Sequence, residues 1–170
     1  MNTGDFSWGD DLIDSRDIIT RYEELQDEYQ SLLEDLEAAK EDLDTFSNEH
    51  ENDDPEDHIV ESFQNLQEVL EDAQSALDGY DKSELDILTE VVSQGEQSPD
   101  WHYGEALIHE DYFTQYIEDL INDCYEMPKE INTGNWPWNH MHMDWESAAE
   151  DAKQDYTTIE VEGKTYYIRG

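Results

Sequence analysis

Residues 18–46 read IITRYEELQDEYQSLLEDLEAAKEDLDTF, and this stretch decides the fold. Ile18, Tyr22, Leu25, Tyr29, Leu32, Leu36, Ala39, Leu43 and Phe46 follow one another at alternating steps of four and three. On a helix that spacing lines all of them along one stripe, a heptad seam that runs for roughly four heptads. A second run repeats it with Ile59, Phe63, Leu66, Leu70, Ala73, Leu77 and Tyr80. Between the two lies Ser47 to Pro55, polar throughout, and Pro55 suits a first helical turn because its missing N–H costs nothing there. The pattern predicts a long acidic helical hairpin, coiled-coil-like, with two antiparallel helices packed seam to seam. Pairing between chains as a homodimer satisfies the same periodicity.

The positions off the seam are acidic. The first helix carries Glu23, Glu24, Asp27, Glu28, Glu34, Asp35, Glu37, Glu41, Asp42 and Asp44, with only Lys40 against them after Arg21. The link and second helix add Glu49, Glu51, Asp53, Asp54, Glu56, Asp57, Glu61, Glu68, Glu71, Asp72 and Asp78, with no Lys or Arg. Solvent-facing helices usually mix signs and gain from Glu-to-Lys pairs four apart; like charges at that spacing, such as Glu24 with Glu28, cost a few tenths of a kcal/mol each. The seam offsets that cost without explaining the charge. A helix of this length spans roughly 45 Å at about 1.5 Å per residue. Duplex DNA carries about one charge per 1.7 Å of axis. Two such helices side by side come within about a factor of two of that density.

The whole chain shares the bias. Its 170 residues hold 47 Asp and Glu against 8 Lys and Arg, a formal net charge of −39, which repels nucleic acid and anionic membranes and favours a basic partner. Aromatic residues make up 11%, too many for a disordered acidic chain, so most of the sequence is expected to fold. Cys124 is alone, which excludes an internal disulfide framework and fits a reducing cytosol. Met1 to Asp14 lacks the basic-then-apolar pattern of a signal peptide, and no run of eighteen apolar residues exists to span a membrane. Solvation in concentrated salt is the plain alternative account of the charge. The retention of bulky Ile, Leu, Tyr and Trp, and a first half far poorer in cations than the last third, count against it.

Beyond the hairpin the reading is mainly α with a small α+β C-terminal module. Phe6, Trp8, Leu12 and Ile13 are expected to dock the N-terminal arm on the body, and Asp14 or Ser15 to cap the first helix. Ser83-Glu84-Leu85-Asp86 resembles a capping box and opens a short third helix with Leu85, Leu88, Val91 and Val92 on its apolar face and Gly95 as its stop. Residues 94–101 (QGEQSPDW) read as a linker. The chain therefore divides at 1–95, the hairpin with its third helix, and 96–170, the C-terminal module. In that module Tyr112, Phe113, Tyr116, Ile117, Leu120, Ile121 and Cys124 predict a helix over about 110–125, ended by Pro128. Lys129 to Met143 reads as loop, Asp144 caps a short helix, and Tyr156–Val161 and Lys164–Arg169 form a terminal β-hairpin turned at Glu162-Gly163.

Several segments of this module together resemble a known family. They are Tyr103 to Ile108, Tyr112-Phe113 with Tyr116, Trp136-Pro137, Asp144-Trp145-Glu146 with Ala148-Ala149, Asp155-Tyr156-Thr157 and the closing Gly163 to Arg169. Their layout over roughly residues 100–170 is similar to the C-terminal part of the ArdA antirestriction family. The resemblance implies a small acidic α+β module from a phage or plasmid. It also implies dimerisation and imitation of B-form DNA in the groove of a type I restriction–modification enzyme. The family's mimicry comes from distributed surface acids, so the resemblance assigns no catalytic residue.

These observations converge on a DNA-mimic inhibitor. Its expected partner is a DNA-binding host defence enzyme with a basic groove, of restriction–modification or CRISPR type, met in the host cytosol. The expected partner-binding residues are Glu34, Asp35, Glu37, Glu41, Asp42, Asp44, Asp53, Asp54, Glu61, Glu68, Glu71 and Asp72, together with Trp138, which stands in a loop next to Pro137. Trp101 and Trp145 are expected in the core. The alternative is an acidic chaperone-like or structural protein that binds basic, histone-like proteins. No enzyme motif is present: there is no Gly-rich phosphate loop and no GxSxG, and with this many acids any carboxylate pair is uninformative. His140-Met141-His142 beside Asp144, with His102 and His109, has metal-ligand chemistry but no HExxH or His-x₃-His helical spacing, so neither metal nor cofactor is expected.

Overall fold

The computed structural model describes residues 6–51, 56–126, 129–131 and 134–169; Asp53, Asp54, Pro55 and Pro128 lie outside them. The chain is mainly helical, with a long N-terminal helix, several shorter helices and a C-terminal antiparallel β-hairpin. In order, the elements are β1 (Leu12–Asp14), α1 (Ser15–Glu49), α2 (Asp57–Asp78), α3 (Ser83–Gly95), α4 (Trp101–Gly104), β2 (Ala106–His109), α5 (Phe113–Cys124), α6 (Trp145–Ala152), β3 (Tyr156–Val161) and β4 (Lys164–Arg169).

Two compact units result. One comprises residues 1–21 and 87–170, the other residues 22–86. This replaces the expected division at 95/96. The first unit is discontinuous because β1, from the N-terminal arm, pairs antiparallel with β2: Leu12 lies opposite Ile108, Ile13 opposite Leu107 and Asp14 opposite Ala106. The sheet has four strands in the order β1-β2-β4-β3, all antiparallel, so the terminal hairpin is half of a larger sheet. Period-two alternation sorts its side chains. On one face Ile108 joins Phe113 and Ile117 of α5 and Ala149 of α6 in a buried cluster, against which Ala106, Tyr156 and Tyr167 pack. The Phe113 ring stands 5.0 Å from Tyr156 and 4.5 Å from Tyr167. On the other face Ile13, Leu107, Ile159, Tyr166 and Ile168 are buried as well. A sheet buried on both sides need not alternate in hydrophobicity, which is why β2 gives no clean strand signal.

Ile18, Leu88, Val91 and Trp101 complete this core. Gly95 is not merely a stop: a Cβ there would come within 2.5 Å of the Trp101 ring. At the outer edge of β3 the Glu160 N–H, unpaired in the sheet, donates to Gln94 Oε1 at 3.2 Å. Ser15 is buried and acts as a junction. Its N–H donates to Glu105 O at 2.8 Å, its Oγ donates to Trp101 O at 2.6 Å, and the Oγ accepts from Glu105 N at 2.8 Å. The start of α1 is capped by Asp14, whose carboxylate accepts from Arg16 N at 2.9 Å and pairs with the Arg16 guanidinium at 2.5 Å. The arm docks as expected: Gly9 N donates to the Tyr166 hydroxyl at 2.8 Å, Lys164 Nζ donates to Trp8 O, and Trp8 stands edge-on to Tyr166.

The hairpin turn between β3 and β4 has positive φ at Glu162 and Gly163 (49° and 76°), the signature of a two-residue type I′ turn. Asp144 caps α6 by accepting from Ser147 N at 3.0 Å. The capping box expected at Ser83 does not form. Asp81 supplies the cap instead, accepting from Ser83 N at 2.9 Å and from its Oγ at 2.6 Å.

Candidate functional site

The acidic surface belongs to the unit of residues 22–86. Within it α1 and α2 pack seam to seam inside one chain. Tyr80 donates its hydroxyl to Leu25 O at 3.1 Å and its ring lies 5.5 Å from Tyr29, while Lys40 shares a shallow groove with Leu70, Glu71, Gln74, Ser75 and Asp78. Contacts of 25 with 80 and of 40 with the 70s are those of an antiparallel pair. Leu25, Leu36 and Ala39 are buried and the remaining seam residues of this unit are half-buried, as far as two helices can cover each other. Lys40, the cation of this stretch of α1, is thus placed beside α2 rather than on the outward row.

Every expected partner-binding acid within the described residues is exposed: Glu34, Asp35, Glu37, Glu41, Asp42 and Asp44 on α1, Glu61, Glu68, Glu71 and Asp72 on α2. At about 100° per residue they fall into rows. Asp27, Glu34 and Glu41 recur every seven residues on the side of α1 opposite its seam. Glu28, Asp35 and Asp42 form a second row on one flank, Glu37 and Asp44 a third on the other. On α2, Glu61 and Glu68 make an outward row with Glu71 on one side of it and Asp72 on the other, where Asp72 follows His58 and Asn65 at the seven-residue interval. Seven residues rise about 10.5 Å, so each row is a ladder of like charges at that interval. Carboxylates on hydrogen-bonded helix are confined to short side-chain arcs, unlike those of a flexible tail. The carboxylates of these rows all lie on the solvent-facing sides of the two helices.

The sequence reading missed where the exposed aromatic surface lies. Trp138 is 37% exposed, in a short 3₁₀ turn, whereas Trp136, not singled out, is 81% exposed. Trp101 is fully buried, as expected of a core residue, whereas Trp145 is only half-buried and is not among the buried core residues. The histidines do not converge. His140 and His142 are exposed, His109 packs edge-on to Tyr166 and accepts from Asp111 N, and among the described residues no group of three or more His, Cys, Asp or Glu is arranged around a common point. Among the described residues, no helix is long and apolar enough to cross a membrane.

No known family model, curated protein or solved structure matches the chain.

Proposed function

We propose that this protein is a DNA-mimic inhibitor of a host defence enzyme, an antirestriction or anti-CRISPR factor of phage or plasmid type acting in the host cytosol. The observation that carries the reading is the set of exposed carboxylate rows on a rigid antiparallel hairpin, with one repeat interval and almost no opposing cation. A basic groove built to hold a duplex binds through phosphate contacts that position rather than specify, and carboxylates at fixed intervals can take those contacts. Like charges four apart work against the helix, so the charge is retained at a cost to stability, as a binding surface would require. The resemblance of residues 100–170 to the ArdA antirestriction family supports the same class of partner. Association would be fast and salt-sensitive, since exposed charges are screened beyond about 8 Å at physiological ionic strength.

The test is competition. The purified protein should displace duplex DNA from its target enzyme at near-stoichiometric amounts, and less well as salt rises. Failure to displace DNA from any restriction–modification or CRISPR enzyme of the host, with tight binding to free basic proteins instead, would replace this reading with that of an acidic chaperone for histone-like proteins.

A further inference from the structure

A second site lies in the unit of residues 1–21 and 87–170, independent of the acidic hairpin. Residues 140–143 read His-Met-His-Met, which gathers two of the chain's four methionines and two of its six histidines into four consecutive positions. All four residues are exposed, Met141 to 52% and Met143 to 49%. Methionine is ordinarily among the residues that a fold buries, as an adaptable filler of core gaps. Neither thioether does that work here, so packing does not account for them.

The local backbone places the donors. His140 N donates to Pro137 O at 3.1 Å and Met141 N to Trp138 O at 3.0 Å, which closes the 3₁₀ turn of Trp138–His140. Met141 then leaves the turn in an extended conformation (φ −102°, ψ 127°). Residues on either side of an extended one project to the same side, about 6.6 Å apart, so His140 and His142 share a side and Met141 points away from it. Downstream, Asp144 is fixed as the cap of α6, its Oδ1 accepting from Ser147 N and its Oδ2 from Ser147 Oγ, each at 3.0 Å. Between these anchors, among the described residues, no hydrogen bond engages His142 or Met143. The Met143 sulfur can therefore turn to the histidine side without breaking a hydrogen bond.

We propose that this segment binds a single Cu(I) ion between the His140 and His142 imidazoles, with the Met143 thioether as third ligand. The ligand set decides the metal. Thioether is a soft donor that selects Cu(I), whereas Ca²⁺ and Mg²⁺ take carboxylate and carbonyl oxygen. Zinc pairs His with carboxylate, but the adjacent carboxylate, Asp144, is already held by the helix cap. Among the described residues no three His, Cys, Asp or Glu surround a common point, so a third donor has to be of another kind, and sulfur from Met143 supplies it. The three ligands are uncharged, so the cation keeps its full charge, and the field of a chain at −39 favours its entry.

The experiment is an anaerobic titration of the full chain with Cu(I) against the chromophoric chelator bicinchoninate, followed also by NMR at the His140 and His142 rings and the Met141 and Met143 methyls. The chain carries Cys124→Ser, because that exposed thiol would take the same ion. Excess Mg²⁺ occupies the carboxylates, and Zn²⁺ is titrated separately. The expected result is one equivalent of Cu(I) withdrawn from the chelator, with both imidazoles and the Met143 methyl shifting together, and Zn²⁺ bound at least tenfold more weakly at these residues. The double variant His140→Asn/His142→Asn should abolish the withdrawal. Met143→Leu should weaken Cu(I) at least tenfold and leave the Zn²⁺ response unchanged, while Met141→Leu should change Cu(I) less than threefold. All these side chains are exposed, so the circular dichroism spectrum should not move. No withdrawal of Cu(I), withdrawal that survives the double histidine variant, Zn²⁺ bound as tightly as Cu(I), or a Met143→Leu protein that binds Cu(I) unchanged would overturn the proposal.

Discussion

Reversing Glu34, Glu41, Glu61 and Glu68 to Lys separates positional mimicry from bulk charge. All four are exposed, and they form the outward rows of α1 and α2. Each reversal changes the charge by two, so the quadruple variant moves from −39 to −31. An exposed ion pair with a partner cation contributes about 0.2–1 kcal/mol, and reversal replaces that attraction with a repulsion of similar size. Four such changes amount to about 4 kcal/mol at low salt, on the order of a thousandfold in affinity. The same changes should not unfold the hairpin. Glu41→Lys puts a cation four residues after Glu37, and Glu61→Lys puts one four residues after Asp57; each converts a like-charge pair into a favourable one of about 0.3–0.5 kcal/mol. Glu34→Lys loses the exposed Gln30–Glu34 hydrogen bond, a minor term. The comparison variant reverses Asp123, Glu146, Asp151 and Glu160, exposed acids of the other unit, for the same net charge. Inhibition of the target enzyme, read as DNA displacement at two salt concentrations, should fall at least a hundredfold for the hairpin variant and less than threefold for the comparison. Equal losses would refute positional mimicry and leave a pure charge effect; no loss in the hairpin variant would remove the hairpin from the interface.

Three further outcomes follow from the packing. Ser98→Ala removes a donor from the buried Glu105 carboxylate and should cost about 1–3 kcal/mol, read as a lower thermal midpoint of the sheet-containing unit. Gly95→Ala drives a methyl into the Trp101 ring and should cost about 1–3 kcal/mol by the same measurement, with a change in tryptophan near-UV signal. Acidification should loosen helix caps in both units, since hydrogen bonds from Ser83 also hold the Asp81 pKa of the hairpin unit below its ordinary value. Hydrogen bonding to Arg16 holds the Asp14 pKa below its ordinary value, and hydrogen bonds from Ser147 do the same for Asp144. A depressed carboxyl pKa gives stability that is present above the unfolded value of about 3.9 and lost as pH falls through the folded value. Tertiary near-UV signal should therefore decline below about pH 4.

What was legible in the sequence was whatever rests on periodicity or on local chemistry. The two heptad seams, the terminal hairpin with its Glu162-Gly163 turn, the Asp144 cap and the exposed position of the acids all come from residues close in sequence. What escaped depends on distant partners. Leu12–Asp14 is too short to announce itself as a strand, and it becomes one only because Ala106–Ile108 lies beside it. Ala106–His109 has both neighbours and both faces covered, so it lacks alternation. Residues 94–101, read as linker, contain Gly95, Ser98 and Trp101, all buried, because Gly95 makes room for a ring six residues away.

The pairing of β1 with β2 also constrains the order of events during synthesis. Ninety-one residues lie between Asp14 and Ala106, and closing so long a flexible loop costs about 4 kcal/mol from its length alone. Residues 22–86 need nothing from outside their own span to pair their seams, and once they have, Leu25 and Tyr80 are in contact. The free connection shrinks from 91 residues to 26, which lowers the closure cost by about 1 kcal/mol. As the chain leaves the ribosome the charged hairpin can be complete while the sheet still lacks three of its four strands, and β4, the strand that bridges β2 to β3, is the last of them to emerge.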